Sequence, residues 1–262
     1  MRRWLVNRSA ARIGVTIGVM LAICCDANGA VLTPEHHMIE GERAFDRGDF
    51  EAAIVNWREA ARTFVQTRQG VALRRVRLQL ALAYEALGHY DRAMRTLQDI
   101  WPKAKRAGDQ PQVAAILAAM GNIALAMGQW DQAERDFLRA LRIGQHLDDP
   151  GLVAKMFNNL GNLFVTRPAP QANDFSRAVD FYRQSARTAW RVRHDAMAGR
   201  PLTHAAMALL KAYAVDRALL ETPLVAKSWL DQAYAHLQWA EPSHAQVYDL
   251  INAGLAYSQL RT

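Results

Sequence analysis

Large apolar, small and polar residues follow one another along this chain in an order that returns every 40 positions. Gly48-Asp49-Phe50, Gly88-His89-Tyr90 and Gly128-Gln129-Trp130 each set a glycine two places before an aromatic, with an alanine three places after it at Ala53, Ala93 and Ala133. Another small residue stands seven places before each glycine, at Gly41, Ala81 and Gly121. A fourth copy runs through Phe157, Leu160, Gly161, Phe164, Phe175, Ala178, Tyr182 and Ser185, with five extra residues around positions 167–173. The three small slots of the successive units hold Gly41, Ala53 and Ala60; Ala81, Ala93 and Ile100; Gly121, Ala133 and Ala140; and Gly161, Ala178 and Ser185. Antiparallel helices approach closely only where side chains are small, so the pattern predicts helical hairpins that nest through backbone contacts at these slots. Trp57, Tyr90, Trp130 and Phe137 fall on packing positions of the same pattern and are expected in the core.

These positions match the tetratricopeptide signature, and Met120-Gly121, Gly128, Trp130, Ala133, Phe137 and Ala140 form its best unit. The usual period is about 34 residues. A longer period with Gly108-Asp109 and Asp148-Asp149-Pro150 in the turns means longer helices and short loops. Such units resemble those of kinesin light chains, of spindle-orientation adaptors and of the repeats upstream of caspase-like CHAT domains in bacterial proteins. The resemblance implies an all-α, right-handed superhelical solenoid over residues 31–262, with about five repeats and a terminal helix. Beyond the fourth unit, Leu202 to Leu220 reads as one helix, and Thr222-Pro223 starts another whose Ala226, Leu230 and Ala233 keep the spacing. Leu250, Ala253-Gly254 and Tyr257 carry the first-helix spacing of a sixth unit.

The resemblance also implies where a partner binds. In a stack of such units the first helices line a concave groove, which places there Arg75, Leu78 and Leu82 of the second unit, Asn122 and Leu125 of the third, and Lys155, Asn158 and Asn162 of the fourth. Asn122 and Asn162 share a register one full period apart, and Asn158 lies one turn before Asn162 on the same face. An asparagine side chain both donates and accepts. An amide ladder beside Lys155 and Arg75 therefore suits the backbone of an extended peptide and an acidic group on it. The residue types resemble the asparagine-and-lysine clamp of peptide-binding tetratricopeptide domains, although the full clamp is absent. The alternative for this face is a solvated polar surface.

Sites of chemistry are not indicated. There is no glycine-rich phosphate loop, no Gly-x-Ser-x-Gly elbow, no His-Glu-x-x-His and no Cys/His spacing suited to zinc. Adjacent His36 and His37 diverge by about 100° on a helix and chelate poorly, and His89, His146, His194, His204, His236 and His244 are scattered singly. Asp49, Asp91, Asp131 and Asp174 recur where each second helix begins and read as helix caps. Arg183, Arg187 and Arg191 recur every fourth residue as a cationic stripe, either a solvated convex face or a docking strip. No enzyme activity, cofactor, metal or small-molecule substrate is expected.

Composition agrees with helices: about a quarter of the residues are Ala, Gly or Ser. The formal charge of +7 includes a basic leader, in which Arg2, Arg3, Arg8 and Arg12 precede an uncharged run from Ile13 to Cys25. That run is too short to span a bilayer and reads as a signal peptide over residues 1–30, cleaved after Ala27, Gly29 or Ala30. Its removal takes Lys+Arg from 32 to 28 and Asp+Glu from 25 to 24, leaving +4, too little to argue for nucleic acid. Cys24 and Cys25 leave with it, so the remainder folds without thiols. The competing readings are a lipobox at Leu21 to Cys24, which would anchor the chain to a membrane through Cys24 but has bulky Ile23 where a small residue belongs, and a twin-arginine signal at Arg2-Arg3. The expectation is a periplasmic or secreted, non-catalytic scaffold that binds a protein or peptide. The alternative is the sensor arm of a CHAT protease system.

Overall fold

A computed structural model of the protein describes residues 33–191, 201, 203–208, 210 and 222–237. Its helices are α1 (Pro34–Asp46), α2 (Phe50–Gln66), α3 (Gly70–Ala86), α4 (Tyr90–Arg106), α5 (Gln110–Ala126), α6 (Trp130–His146), α7 (Pro150–Thr166), α8 (Ala172–Arg191) and α9 (Thr222–Leu237), with residues 203–208 also helical. From α2 to α7 each helix has 17 residues. At about 1.5 Å per residue each is about 26 Å long. Turns of three residues fold every one of these helices back on its predecessor, giving a solenoid of consecutive pairs. The leader at residues 1–30 with Cys24, most of Leu202 to Leu220, and the sixth unit at Leu250, Ala253, Gly254 and Tyr257 lie outside the described residues.

The turns repeat to the atom. Gly48, Arg68, Gly88, Gly108, Gly128 and Asp148 all have positive φ and are evenly spaced at half the sequence period. Around each, two amides reach back to the carbonyls of the helix just ended: Gly88 N to Glu85 O at 2.9 Å and His89 N to Tyr84 O at 2.8 Å, or Asp148 N to Gln145 O at 3.3 Å and Asp149 N to Gly144 O at 2.9 Å. This double closure satisfies carbonyls that the helix end orphans, and glycine adopts the required backbone without a Cβ clash. The carboxylates of Asp49, Asp109 and Asp149 accept from Ala52 N, Gln112 N and Leu152 N and start the following helices. The capping assignment is thereby corrected for two residues: Asp91 and Asp131 lie inside the first turns of α4 and α6, whose caps are His89 and Gln129. Each of these helices begins at the aromatic, so the residue before it is the cap. Asp174 works in the reverse sense, accepting the Gln171 amide at 3.0 Å.

The core runs the length of the stack through Trp57, Leu97, Phe137, Leu163 and Tyr182, with all twelve small-slot residues except Gly41, Gly121 and Gly161 among the buried side chains. The glycine slots differ from the expected backbone-to-backbone contact. A Cβ on Gly121 would stand 2.5 Å from Phe137 Cε1, and one on Gly41 or Gly161 would collide with the ring of Trp57 or Tyr182. The slot is small because an aromatic ring of the next helix fills it. At the fourth unit Ser185 occupies a slot otherwise held by Ala or Ile, and its buried hydroxyl donates to Ala154 O at 2.6 Å. The insertion after α7 divides into two extra turn residues and one added helical turn, so Phe175 sits in the fourth position of α8. Beyond it, α9 packs Ala226, Leu230 and Trp229 on Ala206, and Ala233 on Ala186 of α8.

Two outcomes follow in urea unfolding. Gly121→Ala costs about 1–3 kcal/mol through overpacking, and Phe137→Leu added to it recovers part of the loss; additive losses would refute the ring-in-slot account. Arg68→Gly raises stability by up to about 1 kcal/mol by relieving the left-handed backbone, whereas Gly88→Ala lowers it by about 1 kcal/mol.

Candidate functional site: the inner helix row

Which strip of a helix stays open depends on its neighbours. α3 touches α5, and α5 touches α7, in addition to the even-numbered helices between them. α3, α5 and α7 therefore form the inner row, and their remaining strip is the candidate groove. Charge fades along that row: α3 carries Arg74, Arg75, Arg77 and Glu85, α5 carries none, and α7 carries only Lys155.

Of the predicted residues, Arg75 and Lys155 are exposed, whereas Leu78, Leu82, Asn122, Leu125 and Asn162 are half-buried. Asn158 is buried, with 9% of its surface exposed, and so contributes far less open amide than the ladder requires. Leu78, Leu82 and Leu125 pack against the main core. The three asparagines do not bond one another. Asn122 Oδ1 accepts from Asn159 Nδ2 at 2.8 Å, Asn162 Oδ1 accepts from the Tyr182 hydroxyl at 2.8 Å, and Asn158 Oδ1 lies 3.0 Å from His204 Nδ1. The His204 ring meets Tyr182 edge-on, with centroids 5.4 Å apart. Burial pushes the Tyr182 phenol up from its ordinary pKa, so it remains a proton-bearing donor.

These bonds give the groove a polarity. The side-chain carbonyls of Asn122, Asn158 and Asn162 are each satisfied from within the protein, which fixes the amide orientation. The capacity left on Asn122 and Asn162 is their N–H pair, which makes no hydrogen bond among the described residues. The roles of Asn159, Tyr182 and His204 at these amides are not visible in the sequence, because their partners lie 37, 20 and 46 residues away, where no local pattern points. Glu85 was also missed, although it occupies the register of Leu125 one period earlier. Burial pushes its carboxyl up to about 7, and the charge of Lys155 opposes the shift. A carboxylate on α3 thus senses a lysine on α7 across the inner row.

On the outer side, Arg183 lies 5.9 Å from the Trp229 ring centroid, so it stacks on α9 as well as facing solvent, and Arg187 is exposed. Among the described residues no group of three His, Asp or Glu side chains could hold a metal ion, and no helix is long and apolar enough to cross a membrane.

Residues 116–151, from within α5 to the start of α7, match the tetratricopeptide repeat by sequence. The fold is that of a tetratricopeptide solenoid. It is similar to BtubC (BKLC) from P. vanneervenii, at a TM-score of 0.62 and 19% identity over 79% of this chain and 82% of that one. It is also similar to the apo form of RapI, at 0.60 and 13% over 87% of this chain, which spans 61% of RapI. A kinesin-light-chain-type protein of Podosopora anserina with nearly identical TPR-like repeats matches at 0.55 and 16%, over 77% of this chain and 93% of that one. At these identities the likeness is one of fold alone. No curated protein matches the sequence.

Because the folded Glu85 pKa lies above its unfolded value of 4.5, the folded state holds a proton that the unfolded state has lost between pH 4.5 and about 7. Its contribution therefore falls as pH rises through that window. Glu85→Gln is expected to match the wild type near pH 4 and exceed it in melting temperature at pH 8. Carboxyl carbon NMR is expected to place the Glu85 midpoint near 7, and higher still in Lys155→Ala; a midpoint near 4.5 would contradict the burial.

Proposed function

We propose that this tetratricopeptide protein is a non-catalytic, periplasmic or secreted scaffold whose inner helix row holds an extended segment of a partner protein. The observation that carries the reading is the fixed orientation of Asn122 and Asn162, which offers N–H donors in one register on neighbouring inner helices. Donors in a row suit a ligand rich in acceptors, meaning the backbone carbonyls of an extended peptide and any carboxylate it carries. Arg75 and Lys155 flank the row with positive charge, and half-buried Leu78, Leu82 and Leu125 supply apolar contact. The fold alone does not select a partner, because the same repeat serves many assemblies. No geometry in the described residues favours the sensor arm of a CHAT protease over this scaffold.

A photo-crosslinker placed at Leu125 is expected to capture a partner peptide in cells, and the same group at exposed Arg142 on the outer face is not. Asn122→Asp, which turns a donor into an acceptor at constant shape, combined with Lys155→Glu, is expected to abolish the Leu125 adduct while circular dichroism stays unchanged. Retention of the adduct in that double variant would defeat the groove reading.

A further inference from the structure

The outer face of the second unit departs from the others. A crevice of about 340 Å³ at the α3–α4 junction is lined by Arg77, Arg92, Arg95, Thr96 and Asp99. In steps of one period, Arg77 occupies the position of Leu117 in α5 and Phe157 in α7, both of which pack into the main core. Thr96 corresponds to Asp136, and past the insertion to Phe181, which stacks on Phe157 and Phe164 with centroids 6.2 and 5.8 Å apart. Where the fourth unit fills this space with phenyl rings, the second leaves it open and surrounds it with guanidinium groups. Packing does not require an arginine here, since leucine serves at 117.

The charges in the crevice do not balance. Asp99 is shared by Arg77 and by Lys103, whose Nζ donates to it at 2.7 Å. The Lys103 hydrogen bond and the neighbouring cations hold the Asp99 carboxyl below its ordinary range, so it stays ionised. That carboxylate compensates Arg77 and Lys103 only in part. Arg92 lies over the Tyr84 ring, 5.1 Å from its centroid, and Arg95 makes no ion pair among the described residues. Arg58 adds a further cation close by, donating to the Tyr84 hydroxyl at 2.9 Å. Thr96 Oγ1 already donates to Arg92 O at 2.8 Å, so the donors left for a ligand are the guanidinium N–H groups. Planar forks that line one crevice from two helices suit an anion with several oxygens and more than one charge, which each fork can grip through paired hydrogen bonds.

We propose that this crevice is a binding site for a phosphate dianion, held by Arg77, Arg92 and Arg95. The site shares no residue with the inner groove and stands whether or not the groove reading holds. The phosphate is either free or an ester on a partner's side chain, and both sources present the same oxygens.

The test is calorimetric titration of the full chain with sodium phosphate and, separately, with a phosphoserine peptide, against sodium chloride at equal ionic strength. Saturable phosphate binding absent with chloride is expected. Arg95→Gln and Arg77→Leu are each expected to weaken it about tenfold, by loss of charge-assisted hydrogen bonds. Arg77→Leu installs the residue this position carries in the third unit and so preserves packing. Arg62→Gln, whose arginine pairs with Glu59 elsewhere on α2, is expected to leave binding unchanged. A phosphopeptide tighter than inorganic phosphate assigns the site to a modified partner, and one no tighter assigns it to a free phosphate. Heats indistinguishable from chloride, or binding undiminished in both crevice variants, would overturn the proposal.

Discussion

The stack depends on a ring seated over a residue that has no side chain. Trp57 fills the space above Gly41, Phe137 above Gly121 and Tyr182 above Gly161. In the second unit the corresponding pair is Ala81 and Leu97, both fully buried: the slot gains a methyl and the occupant loses its ring. The two sizes vary inversely, as they must if the distance between paired helices is constant and the interior is filled to ordinary protein density. Three residues close each turn from α1 to α7.

Equal helices and equal turns have a consequence for function. When helices of 17 residues alternate with turns of three, a residue returns to the same strip of an inner helix after each helix pair, so Asn122 and Asn162 hold corresponding places on neighbouring inner helices. The insertion after α7 breaks this count without breaking the stack. Phe164 receives Phe181 in parallel stacking, and Arg167 and Arg177 lie 4.8 and 4.0 Å from its ring centroid. Arg167 also pairs with Glu134 on α6 at 2.9 Å. Aromatic and cation–π contacts thus replace the short turn in tying the fourth pair together.

How much of this was legible in the sequence follows from the range of each interaction. Glycines at the turns, the small slots and the position of the insertion are set by backbone sterics and by neighbours at fixed spacing, and all could be read from the residues. The purpose of the glycine slots was misread because Gly121 and Phe137 stand on different helices, and nothing local says that a ring rather than a backbone occupies the gap. Asp91 and Asp131 are not caps because the helices begin at the aromatic, two residues before the start that a cap at the aspartate requires. For the groove, the register of the asparagines was accessible, but their hydrogen-bonding state was not. The register of Asn158 is that of an open amide, but His204, on a segment with weak repeat character, lies beside it. Glu85 stood in a register already in use, and only burial makes it unusual.

The division of charge between the two helix rows follows from geometry before any partner is considered. An inner helix is touched by its own partner and by inner helices on either side, so a charge on it must find the one narrow open strip or suffer desolvation, as Glu85 does. α5, flanked by α3 and α7, carries no charge, and its open strip displays Asn122, which can bond without ionising. Outer helices have a wider open side, although Asp136 of α6 is buried and its carboxyl is held above the ordinary range by that burial. α4 buries Ala93, Leu97, Ile100 and Ala104 along one side and spreads five cations and two carboxylates over the rest. The stack thus sets an uncharged α5 on its inside and a densely charged α4 on its outside. A residue that crosses this rule, such as Arg77 at a position filled elsewhere by Leu117 and Phe157, is where local chemistry has overridden packing.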